Sequence, residues 1–259
     1  MLVIDSIVPE QLMGGAGTAL LLAVALAQAR DCGICIVTRQ QRHDLPALHA
    51  LLDLQGSAFG GPIEVRHFTG AAGDAPVPLG ARDLVLTTSW WSTWAARHAV
   101  PLEQIVYLLQ EDERMFYPGG DQQLLCAEVL DDTRLRYVVN TQLLLTHFCE
   151  SATAGPTAHG IAFEPAFPAS IYYPIAHGGR RNLFFYARPN HPGTCFYAVS
   201  QRWSVHLPKA CSRSKTGTCT SSGSMCRGLI SPAARSSITT PYPGPIMHNW
   251  CGPRILACR

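Results

Sequence analysis

The chain of 259 residues predicts an α/β protein built on a parallel, doubly wound sheet. Three observations predict it. Short apolar runs rich in Val, Ile and Leu recur, alternating with helical stretches, as a parallel sheet demands. The first run is followed by a glycine turn and then a helix, which opens a βαβ unit. Polar residues burst out directly after several of the runs, at the strand ends where open α/β sheets bind ligands.

The elements follow in order. Residues 1–7 (MLVIDSI) predict a strand. Gly14, Gly15 and Gly17 form a turn before a helix over 18–30. Backbone N–H groups at such a helix start suit a phosphate or carboxylate. The spacing GGAG is not GxGxxG, so the turn equally serves close helix–sheet packing. Residues 33–38 (GICIVT) are a second strand, and Asp44 is placed to cap a helix reaching about residue 54. Strands are expected at 63–68, 83–88 and 104–109, with a helix over 90–100. The run QIVYLL at 104–109 is apolar throughout and reads as a strand buried on both faces. A helix over 121–131, a strand over 135–139 and a helix over 141–148 complete the pattern. Residues 154–173 read as a Pro- and Gly-rich crossover, and 182–187 (NLFFYA) as the first strand of a second domain.

The net charge of +2 hides an asymmetry. All 18 acids lie between Asp5 and Glu164, where nine arginines leave a formal −9, and the remainder carries eleven cations and no acid. Six of the ten cysteines fall in the last 65 residues, which are rich in Ser, Thr and Pro and show no periodicity. A basic arm for RNA or lipid would cluster its cations, and these are dispersed. Residues 193–259 are therefore expected to be a shifted-frame or disordered tail. An alternative frame in the DNA near codon 193 that restores acids and helical spacing is the test of that expectation.

No segment reads as a signal peptide, because Asp5 and Glu10 stand where a basic region should be. The longest apolar run, 19–27, is short of the roughly 20 residues of a membrane span. Cytoplasmic residence with reduced thiols is expected. Cys32 and Cys35 have CxxC spacing but enter an apolar strand with no second ligand pair, so they read as buried structural thiols. The histidines form no metal-binding cluster, and no metal is expected.

The candidate site centres on QEDERMFYPGGD, residues 110–121, just past the buried strand. Glu111, Asp112 and Glu113 crowd three acids together beside Arg114. Asp112 and Glu113 are the candidate catalytic carboxylates, one of them a base for a hydroxyl proton. Trp90 and Trp91 follow the fourth strand, where indoles pack in a core or stack on sugar rings and bases. Asn140, ending the sixth strand, is placed to bind a ligand or to cap the next helix.

The segments VIDSIVPEQLMGGAGTAL, TTSWWST, YLLQEDERMFYPGGD, VVNTQLL and FFYARP, in that order over residues 2–192, resemble the WsaF-like rhamnosyltransferases of surface-polysaccharide synthesis. The resemblance implies a GT-B fold. Residues 1–175 would be a complete Rossmann-like acceptor-side domain, and 176–192 the start of a donor-binding domain. It implies transfer of a deoxyhexose, rhamnose foremost, from a nucleotide-sugar without a metal or other cofactor. Gly14, Gly15 and Arg188 would face the donor diphosphate. Trp90, Trp91, Gln110 and Tyr117 would border the saccharide acceptor, with Asn140 beside them. Nucleic acid is not an expected partner, and peripheral association with the inner face of a membrane is compatible with this reading. The family's donor-side acids have no counterpart after Glu164. The chain as written is therefore expected to be inactive, and a non-catalytic saccharide- or nucleotide-binding module is the alternative.

Overall fold

A computed structural model describes residues 1–7, 14–40, 45–70, 74, 76–166, 173, 181–186 and 217–222. They fall into two units. The first is a Rossmann-like α/β domain around a seven-stranded, all-parallel sheet. Its strands are β1 (Leu2–Ile4), β2 (Ile34–Thr38), β3 (Ile63–His67), β4 (Val85–Thr87), β5 (Ile105–Leu109), β6 (Arg136–Asn140) and β7 (Gly160–Phe163). Their order is β3-β2-β1-β4-β5-β6-β7, so the winding reverses between β1 and β4. Register is fixed by pairs such as Val3↔Thr87, Leu86↔Val106 and Leu109↔Val139.

The predicted strand at 104–109 is β5, an interior strand between β4 and β6, and all five of its residues are buried. On one face Leu2, Ile4, Ile36, Leu86 and Leu108 join Leu20 and Val24 of α1 (Gly15–Arg30) and Leu48 and Leu52 of α2 (Leu45–Leu54) in one core. Ala19, Leu20, Ala23, Val24 and Ala27 are buried in α1, a spacing that presents one helical stripe to the strands. Asp31 in the left-handed region (φ 49°) closes that helix, and Cys32 N–H donates back to the Ala27 carbonyl. Strand alternation sends Tyr107 and Tyr137 to the other face, with ring centroids 6.0 Å apart. The helices that follow the switch are α3 (Trp90–Ala96), α4 (Asp121–Leu130), α5 (Gln142–Glu150) and α6 (Ala154–His159).

Several boundaries differ from expectation. The glycines at 15 and 17 belong to the first turn of α1 rather than to the loop before it. Helix α3 stops at Ala96, seven residues long. Residues 154–163, read as crossover, form α6 and the edge strand β7. A four-residue strand next to Pro156 carries too short an apolar run to declare itself. Its pairing to β6, Tyr137↔Gly160 through Asn140↔Phe163, supplies what its periodicity lacks. Cys32 is exposed and Cys35 half-buried, which corrects the expectation of two buried thiols. Cys32 sits in the turn closing α1, before the strand begins. The Asp44 cap lies outside the described residues.

Among the described residues, the second unit comprises 115–120, 173, 181–186 and 217–222. Within it β8 (Arg181–Tyr186) pairs in parallel with β9 (Gly217–Ser222), from Arg181↔Gly217 to Tyr186↔Ser222. A strand thus falls inside the tail read as aperiodic. Alternating Thr218 and Thr220 favour extended backbone, and the partner strand decides the rest. Among the described residues no helix is long and apolar enough to cross a membrane.

Candidate functional site

At the carboxyl ends of β1 and β4 the chain turns to opposite faces of the sheet, and the crevice between these turns is where such folds hold ligands. Thr88 Oγ1 donates to the Val3 carbonyl at 3.2 Å and ties the two strand ends together. Gly14 has φ 61° and ψ −116°, a conformation available to glycine and not to L side chains. It aims α1 across the crevice, where the first N–H groups of a helix have no helical acceptor.

Gln110, one residue past β5, reaches this turn, and its Nε2 donates to the Gly15 carbonyl at 3.0 Å. A Cβ on Gly15 would stand 2.8 Å from that nitrogen, so the glycine permits the contact. The structure thus joins Gly14, Gly15 and Gln110, drawn from sequence positions some 95 residues apart.

The tryptophans separate in role. Ser89 caps α3 through a reciprocal box with Ser92, Oγ to Oγ at 2.8 Å. Trp90 is 2% exposed and belongs to the core, meeting Trp91 edge-on at 6.0 Å. Trp91 is half-buried, and its indole stands beside the Asp5 carboxyl.

The two candidate carboxylates are both engaged. Glu113 is 5% exposed, and its Oε2 accepts the Trp90 N–H at 2.7 Å. Burial pushes its pKa up to about 8, against the pull of Trp90 N–H and Tyr107, with Glu111 and Asp5 adding to the rise. The Tyr107 hydroxyl adjoins this carboxyl without meeting hydrogen-bond geometry. Burial, then the neighbouring Glu113, also pushes the Tyr107 phenol well up. Asp112 is the opposite case. Burial alone would raise it, but Arg114 and His147 outweigh burial and hold it below the usual carboxylate range. Arg114 grips it in a fork, Nε to Oδ1 and Nη2 to Oδ2, each at 2.8 Å. His147 Nε2 donates to Oδ2 at 3.0 Å.

Asn140 ends β6 one step past the Leu109↔Val139 pair, which sets it next to Gln110 in the sheet. It does not cap α5. Thr141 does so, accepting the Leu144 N–H at 3.2 Å, from a strained backbone with φ 87°. The Asn140 Oδ1 is buried and has no hydrogen-bond partner among the described residues. An amide oxygen left without a donor beside the crevice is what a ligand hydroxyl would satisfy.

Tyr117 belongs to residues 115–120 of the second unit, where it meets Phe116 edge-on at 6.3 Å. Arg188 lies outside the described residues. Sequence reasoning missed Asp5, Arg39, Tyr107 and His147. For Asp5 the signal was present, a charged residue ending an apolar strand, the same rule that found Gln110. His147 gave none, because its partner Asp112 is 35 residues away. Among the described residues no group of three or more His, Cys, Asp or Glu is arranged to hold a metal ion. No protein-family model matches the chain, and no curated protein matches it significantly.

Proposed function

We propose that the first unit is the acceptor-side lobe of a GT-B glycosyltransferase, whose reaction moves a deoxyhexose, rhamnose foremost, from a nucleotide-sugar to a growing polysaccharide. One observation carries this reading. Three of the stretches that resemble the rhamnosyltransferases meet at one switch point: the glycine turn touches Gln110, and the Trp90-Trp91 step is held by Glu113. Trp91 offers a half-buried indole for the apolar face of a sugar. Gln110 and Asn140 offer amides for its hydroxyls, and the start of α1 lies where a diphosphate would gain from N–H donors.

The chemistry asked of such a site is stabilisation of a developing oxocarbenium ion and of the departing diphosphate. Asp112 and Glu113 fit this through position rather than proton transfer. Glu113 fixes the tryptophan step, and Asp112 fixes Arg114 and His147. The same commitment of both carboxylates favours a second reading, a saccharide-binding module without turnover.

Two measurements separate these. Titration of the chain with a rhamnose-containing oligosaccharide is expected to show saturable binding under either reading. Acceptor-dependent release of nucleoside diphosphate from a nucleotide-deoxyhexose is expected only when a complete donor-binding domain follows residue 192. Binding with no release from that completed protein supports the module, and no saccharide binding at all contradicts both.

A further inference from the structure

We propose that His147, aimed by Asp112, is a saccharide-binding residue whose Nδ1 accepts a hydrogen bond from one ring hydroxyl of the sugar. This deepens the saccharide reading of the carboxyl edge and rests on it.

Asp112 lies just past β5, on the chain that leaves Gln110, and His147 lies on α5, the helix that follows Asn140. The pair therefore belongs to the loop and helix that leave β5 and β6, the strands whose ends present Gln110 and Asn140. Arg114 already holds the Asp112 carboxyl through three donations, from its backbone N–H at 3.2 Å and from Nε and Nη2 at 2.8 Å each. His147 adds a fourth, from Nε2 to Oδ2 at 3.0 Å. The loop has no need of that fourth bond, and a half-exposed contact of this kind adds little to stability. The larger effect is on the imidazole, which a fixed carboxyl holds in place.

That hold also decides which ring nitrogen is open. Burial alone would raise the Asp112 carboxyl, but its hydrogen bonds from Arg114 and His147 keep it below the usual range, so it stays ionised and can only accept. The proton of a neutral imidazole is thus kept on Nε2, and Nδ1 retains its lone pair. Among the described residues Nδ1 has no hydrogen-bond partner. The His147 side chain is 49% exposed and that of Asp112 is 8% exposed, so of the two it is the imidazole that a ligand can reach. The ring also meets Phe148, with centroids 5.6 Å apart, and a ring held on two sides loses little freedom on binding. A lone pair backed by a carboxylate disfavours an anion and calls for a donor. Phosphate oxygens accept, whereas a sugar hydroxyl donates. Among the described residues no further ligands are placed to make this nitrogen part of a metal site.

The test uses the whole chain with ¹⁵N-labelled histidine, and methyl α-L-rhamnopyranoside with its monodeoxy analogues. His147→Gln identifies the His147 signals by their loss. At about pH 8.5, where an ordinary imidazole is neutral, wild type is expected to show the Nε2–H tautomer, and saturating rhamnoside to move the Nδ1 resonance alone. His147→Ala is expected to weaken binding about fivefold, the worth of one neutral hydrogen bond. Wild type is expected to lose a similar factor on one deoxy analogue, to which His147→Ala is indifferent. Asp112→Asn presents an amide N–H to Nε2, so the imidazole proton is expected to move to Nδ1, with the same fivefold loss although His147 is intact. If Asp112→Asn does not fold by circular dichroism, the deoxy comparison on His147→Ala decides. An Nδ1–H tautomer in wild type, or unchanged binding by His147→Ala, overturns the role of His147 and leaves the saccharide reading standing. No binding by wild type overturns both.

Discussion

Burial raises the pKa of the Glu113 carboxyl to about 8, with Glu111 and Asp5 adding to the rise and the Trp90 N–H and Tyr107 opposing it. Unfolded, the carboxyl ionises near 4.5, and folded it ionises near 8. Between those values the unfolded chain binds fewer protons, so this group makes stability fall as pH rises from about 4.5 to about 8, and level off above. Glu113→Gln mimics the neutral acid and can still accept from Trp90 N–H. Thermal melts from pH 5 to 8 are expected to show a flatter decline in the Glu113→Gln variant than in wild type, with little loss at pH 5. An unchanged slope would place the titration elsewhere. The sequence made Glu113 legible as a special residue, since three acids directly after a buried strand are unusual. It did not make burial legible. Consecutive acids read as a solvated loop until Trp90, 23 residues earlier, is known to fold over them. Asn140 was legible in the same partial way, because its two possible roles separate only once Thr141 is seen to cap α5.

At the scale of elements, the strand ends are positioned by short helices whose closures are specific. Helix α3 has seven residues and owes its start to the Ser89–Ser92 box. Ser89→Ala is expected to cost about 1 kcal/mol in denaturant melts. It is also expected to weaken saccharide binding, because Trp91 rides on the first turn. Gly155 is a harsher case. A Cβ there would collide with the Leu130 carbonyl and the Tyr137 hydroxyl, which donates to the Val129 carbonyl at 2.7 Å. Backbone and a bonded phenol cannot move aside cheaply. Gly155→Ala is expected to lose about 2–3 kcal/mol, read as a lowered denaturation midpoint. A loss below that of Ser89→Ala would mean the α4–α6 contact is looser than it stands here. The strands β2 and β5 were legible because parallel strands buried on both faces leave continuous apolar runs. Helix α6 and β7 were not, since each is short and depends on β6 and α4 for its order.

For the molecule as a whole, the sheet order and the reversal between β1 and β4 follow from alternation of strand and helix. The crevice follows from that order. What joins its parts is tertiary and leaves no local mark, as with Gln110 meeting Gly15 and Asp5 meeting Arg39. The central claim is that this crevice is where the chain meets a sugar. Hydrogen–deuterium exchange with and without a saturating rhamnose-containing oligosaccharide tests it most directly. Slower exchange confined to peptides covering residues 1–7, 14–18, 88–94, 110–114 and 138–142 is the predicted result. Protection confined to the opposite, amino-terminal edge of the sheet, or no protection at saturation, would contradict it.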